Sequence, residues 1–328
     1  MKALYPLLFK PVIKDYIWGG RHLEEFGREL PDSGPIAESW EISSHEDGMT
    51  TVKNGAYAGK TLKAVLEVLG VDLVGSNNQW ALERGKFPLL VKLLDANKKL
   101  SVQVHPDDDY AQEHEGNELG KTEMWVILRA DPDAAIIYGL EKRTTPQELR
   151  TALVNSELKD YLHKVPIQAG DHICVPSGTL HTILGGAVIA EIQQNSNTTY
   201  RVYDWDRVGA DGKPRPLHID KALDVINYQQ VKLSLSEPEI IEDHHQWCLE
   251  RLCDNEYFTT DRIIAKDSTQ YFGKCDGSTL EIWGVLSGHG VVNGVSLKAV
   301  DFCLLPAALG SFKIRLSPDA IFLRTFVR

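Results

Sequence analysis

Leu100-Ser101-Val102-Gln103-Val104-His105-Pro106 sets a hydroxyl, an amide and an imidazole at alternate positions. In a strand the side chains alternate with a period of two, so Ser101, Gln103 and His105 share one face while Leu100, Val102 and Val104 share the other. Further on, Lys121 and Glu123 stand two apart at the head of the apolar run Met124-Trp125-Val126-Ile127-Leu128. A third segment, Val175-Pro176-Ser177-Gly178-Thr179-Leu180-His181-Thr182, delivers a second histidine just after a Pro/Gly turn. Gln103, His105, Glu123 and His181 form a mixed nitrogen and oxygen donor set. Such a set suits a borderline divalent ion such as zinc, with room left for water or substrate.

Strands must bring these groups to one cavity, and the flanking pattern supplies them. Residues 7–10, 17–20, 37–43 and 50–52 read as short extended segments separated by Pro and Gly. Glu38 and Trp40 fall on one strand face, and Trp18 precedes Gly19-Gly20. Taken alone, Trp18 and Trp40 fit plain core packing. Residues 62–69 carry apolar side chains at helical spacing and stop at Gly70. Residues 87–95 read as a buried strand interrupted by Lys92, a cation that either snorkels outward or points into a polar cavity.

Thr145, Pro146 and Glu148 make a capping box, which predicts an inserted helical lobe over residues 144–164. The β pattern resumes at Val165 and runs through Gly170-Asp171 and Pro176 to His181 and the strand 187–194, an order that fits a double-stranded β-barrel. There Val188, Ala190 and Ile192 take one face, so Glu191 is free to share the metal's cavity. The following polar loop delivers Arg201. Arg207, Lys213 and Arg215 lie on the next loop, where solvated charge is the simpler reading, and Asp211 to Pro216 form a turn-rich connector. Residues 219–226 suit a short amphipathic helix.

Residues 280–307 echo the order of strand, Gly turn, Asp, strand and Pro seen in 124–176, without histidine or glutamate at the matching ligand places. The chain is therefore expected to be mainly β, with two double-stranded β-barrels. Residues 1–235 hold the catalytic unit and its helical insertion, and residues 236–328 hold a degenerate second barrel without metal. His244, His245 and His289 read as surface or turn residues.

A chain of 328 residues with 46 acidic and 35 basic residues carries a net charge of −11, which argues against nucleic acid or an anionic membrane as the main partner. An anionic ligand must be held by a few local cations. The five cysteines form no CxxC pair or secreted framework, and the start Met1-Lys2-Ala3 lacks a signal-peptide core, so the cytoplasm is the expected compartment.

The ordered set from Phe9-Lys10-Pro11 and Ile17-Trp18-Gly19-Gly20, through Glu38-Ser39-Trp40, residues 87–92, 100–106 and 120–125, to residues 175–181 and 191–205 resembles the type I phosphomannose isomerases, cupin-fold zinc enzymes, in their short bacterial form. The resemblance implies one zinc per chain, held by Gln103, His105, Glu123 and His181. It implies pocket residues Trp18, Glu38, Lys92, Ser101, Lys121, Glu191 and Arg201. Ser101, Lys92 and Lys121 become candidates for the phosphate or a sugar hydroxyl, and Arg201 for the reactive end. Long eukaryotic members carry an aromatic residue two after the second histidine. This chain has Ile183, so that wall does not transfer.

The activity implied is interconversion of mannose 6-phosphate and fructose 6-phosphate by proton transfer through an enediol. Glu191 is the first choice of base, with Lys121 or a zinc-bound water behind it. The rival readings are a cupin that binds a sugar phosphate as a sensor and one that performs other metal chemistry such as oxygenation.

Overall fold

The computed structural model describes residues 4–209 and 212–328, which leaves Met1-Lys2-Ala3 and the Asp211 start of the turn-rich connector outside the described residues. Leu89–Ala96, Glu123–Ala130 and Ala187–Gln194 lie side by side in a six-stranded sheet. His172–Val175 flanks them on one side, with Glu38–Ile42 and then Val12–Lys14 on the other. Every residue of Leu89–Ala96 and Ala187–Gln194 is buried, the burial that a near-continuous apolar run demands.

A five-stranded sheet faces this one, in the order Leu162–Pro166, Ala135–Leu140, His181–Ile183, Val102–Val104 and Tyr200–Tyr203. Leu94, Trp125, Ile127 and Ile189 of the first sheet meet Ile136, Tyr138 and Ile183 of the second in one apolar cluster. The opposite face of the five-stranded sheet, through Val102, Val104 and Ile137, is covered by Leu149 of the helix Pro146–Val154 and by Ala222 and Leu223 of the helix Ile219–Val225.

The capping box is present: Thr145 Oγ1 accepts from the Glu148 N–H, and the Glu148 carboxylate accepts from the Thr145 N–H. The helical insertion is shorter than the sequence predicts. After a 3-10 turn over Leu158–Tyr161 the chain becomes the strand Leu162–Pro166, because its backbone completes the edge of Ala135–Leu140. Alternation is also broken at its first residue. The strand begins at Val102, and Leu100 turns into the cavity instead of following Val102 and Val104.

Residues beyond Pro238 build a second pair of sheets. Eight strands run in the order Glu239–Asp243, Trp247–Asp254, Phe258–Ala265, Ile321–Val327, Glu281–Ser287, Phe302–Leu305, Leu7–Lys10 and Thr51–Val52, so the N-terminal strand belongs to the C-terminal sheet. A four-stranded sheet packs on its inner face, where Trp283, Val285 and Phe322 meet Phe312 and Ile314. The two sheet pairs meet through a large apolar cluster that includes Val91, Met124 and Ala190 on one side and Leu7, Ile282 and Leu304 on the other. Leu62, Val65, Leu66 and Leu69 of the helix Leu62–Leu69 join it, as their spacing predicts.

Cys174 and Cys253 form a disulfide across this junction, with Cα atoms 5.9 Å apart. The sequence reading, which found no CxxC pair and no secreted framework, did not anticipate this bridge: folding brings together two residues 79 apart in sequence, too far for any spacing rule to link. Cys248, Cys275 and Cys303 are free thiols. No helix among the described residues is long and apolar enough to cross a membrane.

Candidate active site

His105 follows Val102–Val104, and His181 opens the neighbouring strand, with Gln103 and His181 directly paired in register. Glu123 reaches the same place from the opposite sheet. Its approach depends on Gly120, where a Cβ would lie 2.5 Å from the Asp107 carbonyl carbon. The close passage is fixed by the Lys121 N–H donating to the Pro106 carbonyl at 3.0 Å.

One nitrogen from each imidazole and one carboxylate oxygen of Glu123 lie within 4.8 Å of one another, all three residues buried. The Nδ1 of His105 is 2.8 Å from the Thr198 carbonyl, and the Nδ1 of His181 is 2.8 Å from the Thr179 carbonyl. A carbonyl only accepts, so each Nδ1 carries the proton and each Nε2 presents its lone pair to the centre. This is the outer-shell arrangement that orients histidine ligands of a metal. The Gln103 amide nitrogen lies 3.5 and 3.4 Å from those two Nε2 atoms, and its oxygen accepts from Ser101 Oγ at 3.2 Å. A half-turn of the amide presents the oxygen instead. The donor set therefore fits a divalent cation, with Gln103, His105, Glu123 and His181 as the residues that would hold it.

Electrostatics favour the same state. Burial, then the Lys121 ammonium, pushes His105 down to about 3, and burial lowers His181, so both rings are neutral at physiological pH. Burial raises Glu123, but Lys121 and His105 more than offset it and hold the carboxyl well below its usual range. Lys121 contacts Glu123 directly and lies 3.1 Å from His105 Nε2. Trp125 Nε1 donates to the other Glu123 oxygen at 3.1 Å.

Above the cluster a cavity of about 380 Å³ collects Trp18, Glu38, Lys92, Ser101, Lys121, Glu191 and Arg201, all of the substrate and catalytic residues that the sequence singled out. Lys92 is buried 3.7 Å from Glu38 and 3.7 Å from Glu191, with its ammonium over the Trp40 ring at 4.8 Å. Trp40 Nε1 in turn donates to Glu38 at 2.5 Å. Trp40 is thus core and site support together. Burial, then Glu123, pushes Glu191 up to about 7 against the pull of Lys121 and Lys92. Arg201 donates from Nη1 to the Pro216 carbonyl at 2.9 Å, while its buried Nε has no protein partner.

Tyr16, Asn197, Thr199 and Arg215 line the same cavity and were not singled out. The expected extended segment 17–20 is instead a turn, closed by the Gly19 N–H donating to the Tyr16 carbonyl at 3.0 Å, and it is this turn that sets Tyr16 beside Trp18. Arg215 corrects the reading of solvated charge: the connector folds back over the cavity mouth.

Two facing sheets around a buried His/Glu/His cluster define a cupin-type pocket with side chains that could hold a metal ion. The profile of the family "Phosphomannose isomerase type I, catalytic domain" matches residues 7–134. The chain is 41% identical to mannose-6-phosphate isomerase ManA of Bacillus subtilis over 94% of its length and 95% of that protein's. It is 47% identical to the mannose-6-phosphate isomerase of Streptococcus mutans over 67% of each chain. The crystal structure of the Bacillus subtilis mannose 6-phosphate isomerase superposes with a TM-score of 0.86 at 36% identity, covering 98% of this chain and 99% of that one. This chain belongs to the type I phosphomannose isomerase family.

Proposed function

We propose that the chain is a zinc-dependent aldose-ketose isomerase that interconverts mannose 6-phosphate and fructose 6-phosphate, with one zinc per chain. The relatives' names support the substrate, and the ligand set of Gln103, His105, Glu123 and His181 supports the metal. The observation that carries the chemistry is Glu191, a buried carboxylate facing the same cavity and raised to about 7. A base poised near the working pH moves protons most effectively. A sensor has no use for it.

Glu191 removes the proton from C2 of the aldose and delivers a proton to C1, while the C2 hydroxyl proton passes to the C1 oxygen, so C1 becomes a hydroxymethyl carbon and C2 the ketone. Lys92 lies 3.7 Å from Glu191 and from Glu38 and fixes the carboxylate beside the sugar hydroxyls. Arg201 presents a planar guanidinium to the oxygens on which enediolate charge grows. Trp18 and Ser101 complete the wall against the sugar ring. Bound zinc supplies Lewis-acid polarisation of substrate oxygens. The same reading assigns the proton-carrying unit to residues 1–235 and a supporting, metal-free role to residues 236–328. It also places the enzyme in the cytoplasm, where charged sugar esters are retained.

The test is isomerisation of mannose 6-phosphate in deuterium oxide followed by proton NMR. Fructose 6-phosphate carrying solvent deuterium at C1 supports proton transfer by an exchangeable base. No conversion refutes the isomerase, and the fraction of product lacking solvent deuterium measures how often Glu191 returns the original proton before it exchanges.

A further inference from the structure

The cations of the cavity divide into an inner pair, Lys92 and Lys121, and an outer pair, Arg201 and Arg215. Lys92 faces two carboxylates, Glu38 and Glu191, and Lys121 contacts Glu123. Each lysine is already engaged by carboxylates inside the cavity, Lys92 by two and Lys121 by the metal-cluster glutamate, so neither is free to turn to a phosphate ester. At the mouth Arg201 and Arg215 line the cavity, Asp204 holds Arg215, and Asp47 reaches the same rim by accepting from Asn197 Nδ2 at 2.7 Å.

Arg215 is built into place. Its Nε donates to Asp204 Oδ2 at 2.8 Å and its Nη2 to Asp204 Oδ1 at 2.6 Å, a two-pronged pair on a carboxylate that is 5% exposed. Arg207 is turned away from the cavity, holding Asp204 and the Lys99 carbonyl. The next residue after Arg215, Pro216, receives Arg201 Nη1. The 215–216 segment thereby couples an inner guanidinium, with its buried unpartnered Nε, to an outer one at the rim, both lining the cavity. Across the mouth the Tyr16 hydroxyl is pushed up to about 12 by burial and then by Glu38, Asp47 and Asp15, with Arg215 opposing them.

We propose that Arg215 is a specificity-determining residue that grips the phosphate ester of the substrate at the cavity mouth, with Asp204 as its positioning residue. This rests on the sugar-phosphate reading above. It assigns Lys92 to Glu191 and the sugar hydroxyls and leaves the rim guanidinium for the phosphate.

The experiment measures kcat and KM for mannose 6-phosphate, and calorimetric affinity for inorganic phosphate, in the zinc-loaded wild type, Arg215→Gln, Arg215→Lys and Asp204→Asn. Losing a charge-assisted contact weakens binding by about 10- to 100-fold. Arg215→Gln is expected to raise KM by that factor while kcat falls at most about threefold, with phosphate affinity falling in parallel. Arg215→Lys recovers part of the loss, because it keeps charge but not the fork. Asp204→Asn shifts KM the same way by a smaller factor. Wild-type KM and phosphate affinity in Arg215→Gln overturn the proposal, as does a loss confined to kcat. If the wild type fails to convert mannose 6-phosphate, the isomerase reading falls by itself, and inorganic phosphate affinity still decides Arg215.

Discussion

Glu191→Gln separates catalysis from stability in one side chain. The substitution preserves shape and removes the basic carboxylate, so turnover of mannose 6-phosphate is expected to fall by roughly 10²- to 10⁴-fold, the range for losing a general base. Zinc content should hold, because Glu191 is outside the ligand cluster. In the wild type, protonation of a group at about 7 removes the base, so kcat drops roughly tenfold per pH unit below that value. Stability runs the other way. Between an unfolded value of 4.5 and the folded value of about 7, the native chain holds a proton that the unfolded chain has released, so stability falls as pH rises through that window. The full shift corresponds to on the order of 3 kcal/mol. Glu191→Gln removes this cost but leaves Lys92 with Glu38 alone, so a smaller net gain is expected at pH 8, and none at pH 4. Stopped or coupled kinetics over pH 5.5–8.5 and urea unfolding at both pH values measure the two effects. A variant with wild-type kcat, or a wild type whose kcat is flat from pH 6 to 8, refutes the assignment of the base.

His105→Ala or His181→Ala breaks a four-donor set and should remove most zinc by atomic absorption and nearly all activity. Gln193→Ala should weaken zinc affinity by about 10-fold or more without touching a ligand: its amide donates to the Ser196 carbonyl at 2.6 Å, and that loop carries the Thr198 carbonyl that orients His105. A competition titration with a chelating dye measures it. Arg201→Lys keeps charge and loses the planar fork, so steady-state kinetics should show a larger fall in kcat than rise in KM.

Strand alternation made much of the site legible before any coordinates. Gln103 with His105 and Lys121 with Glu123 each sit two apart, and a cavity between facing sheets follows from that spacing. Glu191 was readable because the apolar face of 187–194 left it no other direction. The Thr145 capping box located the helix start, yet not its end, because Leu162–Pro166 is decided by a partner strand. Asp107 caps the unanticipated helix Asp108–His114 by accepting from the Tyr110 N–H, a signal present in the sequence and passed over. Arg215 was illegible for a different reason: the path of a Pro/Gly-rich connector is set by Asp204 and Pro216 contacts, which no periodicity encodes. The pairing of Leu7–Lys10 with Phe302–Leu305 is likewise a long-range choice among apolar strands.

The C-terminal sheet shows why an echo of sequence need not repeat a site. Trp283 Nε1 donates to Glu281 at 2.8 Å, as Trp125 does to Glu123, but Arg324 takes both Glu281 oxygens. Arg324 pairs with Trp283 in register as Glu191 pairs with Trp125, so a guanidinium stands where the first sheet offers a carboxylate.

The most direct measurement of the central claim is fructose 6-phosphate formation from mannose 6-phosphate in a coupled assay after chelation, dialysis and stepwise return of zinc. Activity should vanish in the stripped protein and return in proportion to zinc, saturating at one ion per chain. Full turnover by the metal-free protein, or none at any zinc level, would contradict the account.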